Sequence, residues 1–96
     1  MLFKWNADKN KKLIKERNIS FDEIRDSILE NGYLYSKKHK KEEYNHQVCL
    51  FVLVDNYVYQ VPCIILQDNP KIIYLVTAFK DRQANKKYFG DIKNEK

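Results

Sequence analysis

Val48-Cys49-Leu50-Phe51-Val52-Leu53-Val54-Asp55-Asn56-Tyr57-Val58-Tyr59-Gln60-Val61-Pro62-Cys63-Ile64-Ile65-Leu66 is the stretch on which the fold turns. Val48 to Val54 is apolar at successive positions, so a strand made of it is buried on both faces and belongs inside a sheet. Asp55-Asn56 reads as a two-residue hairpin turn, a weaker signal than Asn-Gly, and Tyr57 to Leu66 returns as the second strand. That turn sets Val48 opposite Cys63 and Cys49 opposite Pro62. The two thiols then point to opposite faces and cannot pair. Both read as small buried hydrophobes of a reducing cytoplasm. Pro62 lacks a ladder donor, which predicts an open edge or a bulge at that position.

Downstream, Gln67-Asp68-Asn69-Pro70 turns the chain into a third strand, Lys71 to Phe79. Asp81 caps a short helix from Arg82 to Phe89, Gly90 stops it, and 91–96 forms a disordered tail. Upstream, Met1 to Trp5 is a short edge strand, and Asn6 caps a helix through about Arg17. Ser20 with Glu23 forms a capping box that opens a second helix, whose apolar face carries Phe21, Ile24 and Ile28. Gly32 ends it, and Tyr33 to Tyr44 is a polar loop or frayed strand. The expected fold is α+β in a single domain over 1–90: an N-terminal strand and two helices, a three-stranded antiparallel meander and a short closing helix, with the helices on one face.

The chain has 96 residues, with 18 Lys+Arg against 13 Asp+Glu and a formal net charge of +5. That balance favours polyanionic partners: RNA, DNA or an acidic protein segment. No apolar run is long enough for a membrane span, and Met1-Leu2-Phe3-Lys4-Trp5 has no signal-peptide core, so a cytoplasmic location is expected. A glycine-rich phosphate loop, zinc-ligand spacing and a Ser or Cys nucleophile motif are all missing from the sequence, and neither cofactor nor metal is expected.

The sharpest cluster is Lys80-Asp81-Arg82-Gln83-Ala84-Asn85-Lys86-Lys87-Tyr88. Arg82 and Lys86 are four apart and share a helix face, while Ala84 and Tyr88 point the other way. A guanidinium in the first helical turn, beside unpaired backbone N–H groups, suits a phosphate; the plain alternative is a solvated face with Tyr88 packed down. His39, Tyr44 and His46 sit among lysines, where histidine can move a proton and tyrosine can stack on a base, although histidines on such a loop are more often solvated bystanders. Lys9 stands at the rim of the first helix's buried face, where it snorkels or reaches into a site, and Trp5 reads as a core anchor.

The opening Phe3-Lys4-Trp5-Asn6-Ala7-Asp8-Lys9, the step Arg17-Asn18-Ile19-Ser20-Phe21-Asp22-Glu23 and the closing Arg82-Gln83-Ala84-Asn85-Lys86-Lys87-Tyr88 together resemble toxins of the BrnT type. The resemblance implies a RelE-like fold and a metal-independent endoribonuclease toxin of a type II pair. A small antitoxin would neutralise it, and any DNA contact would pass through that antitoxin. By matching position, Lys9, Arg82 and Lys86 would bind or stabilise the phosphate, and Tyr88 would orient the substrate. Lys80 of the cation cluster and Tyr44 as a stacking group are further substrate-binding candidates, on their residue types alone. His39 falls where some relatives carry a histidine, so Lys9 or His39 would handle the proton.

Three departures stand out: Asn6 for an aspartate, Asn18 for a turn glycine, and Asp81 directly before Arg82 where the family has a short Ser-Ala-Arg sequence. The implied reaction is attack of a ribose 2′-hydroxyl on the adjacent phosphate, with cations stabilising the phosphorane. A non-catalytic module that binds RNA or a protein partner through the same basic surface is the competing expectation. The nuclease reading requires Lys9, Arg82 and Lys86 to gather in one pocket beside the meander.

Overall fold

The computed structural model describes residues 1–38 and 47–94, with side chains described as far as Gly90. In chain order the elements are β1 (Leu2–Lys4), α1 (Ala7–Arg17), α2 (Phe21–Asn31), β2 (Tyr35–Lys38), β3 (Gln47–Val54), β4 (Tyr57–Asp68), β5 (Lys71–Leu75), β6 (Phe79–Lys80) and α3 (Arg82–Asn94). Among the described residues no helix is long and apolar enough to cross a membrane.

The β3–β4 hairpin forms in the expected register, Val48 opposite Cys63 and Cys49 opposite Pro62. Asp55 (φ 50°) and Asn56 (φ 63°) both adopt the left-handed conformation. That is the combination a two-residue type I′ turn requires, and short polar side chains tolerate it. The meander β3–β4–β5 is antiparallel, but the sheet is larger than the expected three strands: six strands, ordered β1-β5-β4-β3-β2, with β6 also paired to β4. β1 joins as a parallel edge on β5, and β2 closes the other edge against β3.

The third strand does not run unbroken to Phe79. It ends at Leu75 and pairing resumes at Phe79–Lys80. The break has a donor of its own, because the Arg17 guanidinium reaches across from α1 to the Ala78 carbonyl at 2.7 Å and to Thr77 Oγ1 at 3.3 Å. Pro62 faces this same break: its carbonyl accepts from the Val76 N–H at 2.9 Å. A strand residue's N–H and C=O point the same way, so the missing proline donor falls where no ladder partner needs it.

The helices keep their expected starts. Asn6 Oδ1 accepts from the Lys9 N–H, and Ser20 Oγ accepts from the Glu23 N–H. Asn10 pins the two helices together, accepting from the Phe21 N–H at 2.8 Å and donating to Asp22 at 3.2 Å. Gly32, at φ 75°, terminates α2. Gly90 does not terminate α3, which continues to Asn94. Glycine costs a helix only about 1 kcal/mol and stops it only where the chain turns left-handed; Gly90 is not among the positive-φ residues.

The helices do not share one face. Leu50, Val52, Val54, Tyr59, Val61 and Cys63 point to the side covered by α1 and α2, where they meet Leu13, Phe21, Ile24 and Ile28. Phe51 and Val58 point to the opposite side, where Ala84 of α3 covers them. The cause is the period-two alternation of β3 and β4, apolar on both faces and therefore in need of a cover on each.

Candidate nucleic-acid interface

α3 is fastened to the end of β4 through Val58. The Val58 carbonyl accepts from the Asp81 N–H at 3.0 Å, and its N–H donates to Asn85 Oδ1 at 3.0 Å. Asp81 Oδ1 in turn accepts from the Ala84 N–H at 2.9 Å, an N-cap interaction. The small Ala84 lets the helix approach the sheet, and Tyr88, one turn later, packs against the same cluster.

Between α3 and the β2 edge lies a cleft of about 660 Å³. Its floor is Phe51 and Gln60, one wall is Tyr35 and Lys37 of β2, and the other is Asp81, Lys87 and Tyr88. Register explains the β2 wall: Tyr35 is paired with Phe51 and Lys37 with Cys49, so both side chains stand on the α3 side of the sheet. The Tyr35 ring stacks on Phe51 with centroids 4.3 Å apart and planes 15° from parallel. Lys37 Nζ lies 5.6 Å from the Phe51 ring and 6.0 Å from the Tyr35 ring. The Tyr35 hydroxyl has its pKa raised, first by burial and then by the negative charge of Asp81. Its neutral form persists well into alkaline pH, which leaves it a hydrogen-bonding and stacking group.

This arrangement can do three things chemically: offer an aromatic surface to a base, offer two lysines to a phosphate, and offer amide and carboxylate groups to a base edge. A second, smaller cleft of about 320 Å³ over Pro62 and Cys63 has no charged lining residue among the described residues. Its buried Cys63 thiol is pushed up to about 12, by burial first and then by Cys49. A thiol held neutral in this way is no nucleophile.

The expected site residues are dispersed. Lys9 sits part-buried on α1, which packs by Leu13 on one face of the sheet, whereas Arg82 and Lys86 are exposed on α3 across the other face. The sheet stands between them, so the single pocket of Lys9, Arg82 and Lys86 does not form. Lys80 is paired with Tyr59 and turns to the α1/α2 side, where its Nζ lies 5.0 Å over the Tyr57 ring. Tyr88 does line the cleft. His39, Tyr44 and His46 lie outside the described residues. Asp81 caps the helix, and among the described residues it makes no salt bridge to Arg82.

Sequence reasoning missed Tyr35, Lys37 and Lys87. The alternation Tyr35-Ser36-Lys37 carried the signal for the first two, hidden because the surrounding charge made the segment read as solvated loop. Trp5 is the core anchor it was expected to be, 5.8 Å from the Phe21 ring and packed against the main cluster. No protein-family model matches this sequence, and no curated protein matches it either.

Proposed function

We propose that this chain is an RNA-acting protein of the toxin type its sequence resembles, and that it engages single-stranded RNA in the cleft between β2 and α3. One observation carries the reading: the Tyr35–Phe51 stack, Lys37, Lys87 and Tyr88 line a single cleft on a chain of net charge +5. Aromatic platforms bordered by cations are the physical means by which single strands are held, each stacked base contributing about 1–3 kcal/mol. Two α-helices on one side of the sheet and a third on the other are compatible with a RelE-like arrangement, which belongs to the same proposal.

In this reading Lys37 and Lys87 take over the phosphate-facing role first expected of Lys9 and Arg82. A ribose 2′-hydroxyl would attack the adjacent phosphate and expel the 5′-oxygen of the next nucleotide, leaving a 2′,3′-cyclic phosphate and a 5′-hydroxyl end. The hydroxyl proton would pass through water to the departing oxygen, and the ammonium groups would stabilise the charge that builds on the phosphorane oxygens. Arg82 and Lys86, exposed on the outer side of α3, would meet the strand beyond the cleft. A small antitoxin would neutralise the protein by covering the cleft, and DNA would be reached only through that partner. The reading carries a cytoplasmic location with it.

Binding without cleavage is the second reading, and a specific observation favours it. Asp81 places a negative charge in the cleft, and the Tyr35 hydroxyl is displaced away from neutral pH, which suits holding a strand better than moving a proton. Incubation of the purified chain with end-labelled single-stranded RNA separates the two. Salt-sensitive retention with new 2′,3′-cyclic phosphate ends supports the nuclease, and retention with intact RNA supports the binder. Binding that survives undiminished when Lys37 and Lys87 are both alanine would remove the cleft from the function.

A further inference from the structure

We propose that the cleft selects guanine among the bases of single-stranded RNA, and that Asp81 is the residue that reads it. This rests on the RNA reading above. A carboxylate is an odd lining for a site that holds a polyanion: no phosphate will settle against it, so the part of the nucleotide that faces Asp81 is the base. Asp81 uses one oxygen to accept from the Ala84 N–H at 2.9 Å, which leaves its second oxygen and further lone pairs for a ligand. Among the described residues no cation is salt-bridged to it. Its charge also reaches the other wall, since it helps burial raise the pKa of Tyr35.

The geometry then divides the nucleotide into parts. Tyr35 is backed by Phe51 at 4.3 Å and is itself 37% exposed, so it presents a ring on which a base can stack. Lys37 and Lys87, on opposite walls, take the flanking phosphate. The base edge meets an acceptor-only carboxylate. Guanine alone carries two adjacent donors, N1–H and N2–H, on its Watson–Crick edge; adenine and cytosine offer one amino group there and uracil one ring N–H. A pair of parallel N–H···O bonds to a carboxylate is the stronger, charge-assisted arrangement. Tight pairing of this kind discriminates between bases by on the order of tenfold or more.

The test measures binding of fluorescent uridine octamers with a central guanosine, adenosine, cytidine or uridine to the intact protein. The expected result is tightest binding of the guanosine strand, by on the order of tenfold. Equal binding of all four strands would overturn guanine selection while leaving the RNA reading intact, and binding of none would sink the RNA reading itself. In Asp81→Asn the amide oxygen still caps α3, so the fold is kept. That variant should lose the guanosine preference and bind the all-uridine strand more tightly, because a negative charge has left the cleft. Retention of the full preference in Asp81→Asn would strip Asp81 of the role. Asp81→Glu, which keeps the charge and moves it by one methylene, should weaken the preference without tightening uridine binding. Free GMP should compete only far above the strand's own dissociation constant. Competition at equal concentration would make the ligand a free nucleotide and overturn the assignment to RNA.

Discussion

The two faces of the sheet are covered in different ways. On the α1/α2 side, Leu50, Val52, Val54, Val61, Cys63 and Leu75 interlock with Phe21 and Ile24, and every one of these is nearly inaccessible to solvent. On the α3 side the buried cluster is Phe51, Val58 and Ala84, and beside it the same strands carry Gln60 and their neighbour Lys37 into an open cleft. The same two strands serve both sides, because successive residues of a strand face opposite ways. Stability and ligand chemistry are divided between the faces, and a single helix that touches the sheet at a small residue leaves room for a site.

Breaking the closed face should produce the largest effect. Phe21→Ala removes a fully buried ring and should cost about 3–5 kcal/mol, read as a lowered urea midpoint, with RNA binding lost only along with the fold. The alkaline limb should come next. Cys63 is held neutral up to about 12 when folded, against an ordinary 9.0, so the folded chain keeps a proton that the unfolded chain releases. Stability is therefore complete below pH 9.0 and falls as pH climbs toward about 12. The raised Tyr59 and Tyr35 act in the same direction, through burial first in each case. Urea midpoints measured across that range should fall less steeply in Cys63→Val.

Breaking the open face should leave the midpoint alone and change binding. Lys37→Ala and Lys87→Ala should each reduce the slope of log affinity against log salt by about 0.7, the amount expected for one phosphate on a single strand. Asn85→Ala tests the seam between the faces, since it leaves the Val58 N–H without its acceptor. It should cost about 1–3 kcal/mol and loosen α3 enough to weaken RNA retention. The smallest effect should belong to Lys9→Ala: with the sheet between it and the cleft, neither salt slope nor affinity should change. A loss of RNA binding in that variant would restore the pocket that the structure divides.

The hairpin register, the capping residues of α1 and α2 and the cap at Asp81 were legible because each depends on residues close in sequence. Asp55-Asn56 fixes the pairing of its own flanks, and Ser20 Oγ accepts from the Glu23 N–H while its hydroxyl donates to the Glu23 carboxylate. Strand β2 was half legible: its place after Gly32 was visible, its pairing with β3 was not, since Tyr35-Ser36-Lys37-Lys38 contributes no residue to the core. The break after Leu75 was illegible because the group that satisfies its Ala78 carbonyl, the Arg17 guanidinium, stands about sixty residues away in sequence.

The candidate site follows the same division. By itself the sequence determined a basic chain with an α+β fold, a two-sided apolar hairpin and a capped helix that carries Tyr88. It could not decide which side of the sheet each lysine would occupy. Lys9, Lys37, Lys80 and Lys87 look alike in one dimension, and only strand pairing and helix docking sort them, Lys9 and Lys80 to the closed face and Lys37 and Lys87 to the cleft. The physical reason is that a side chain's direction reverses at every strand residue, so its partners are set by long-range register that local sequence does not encode.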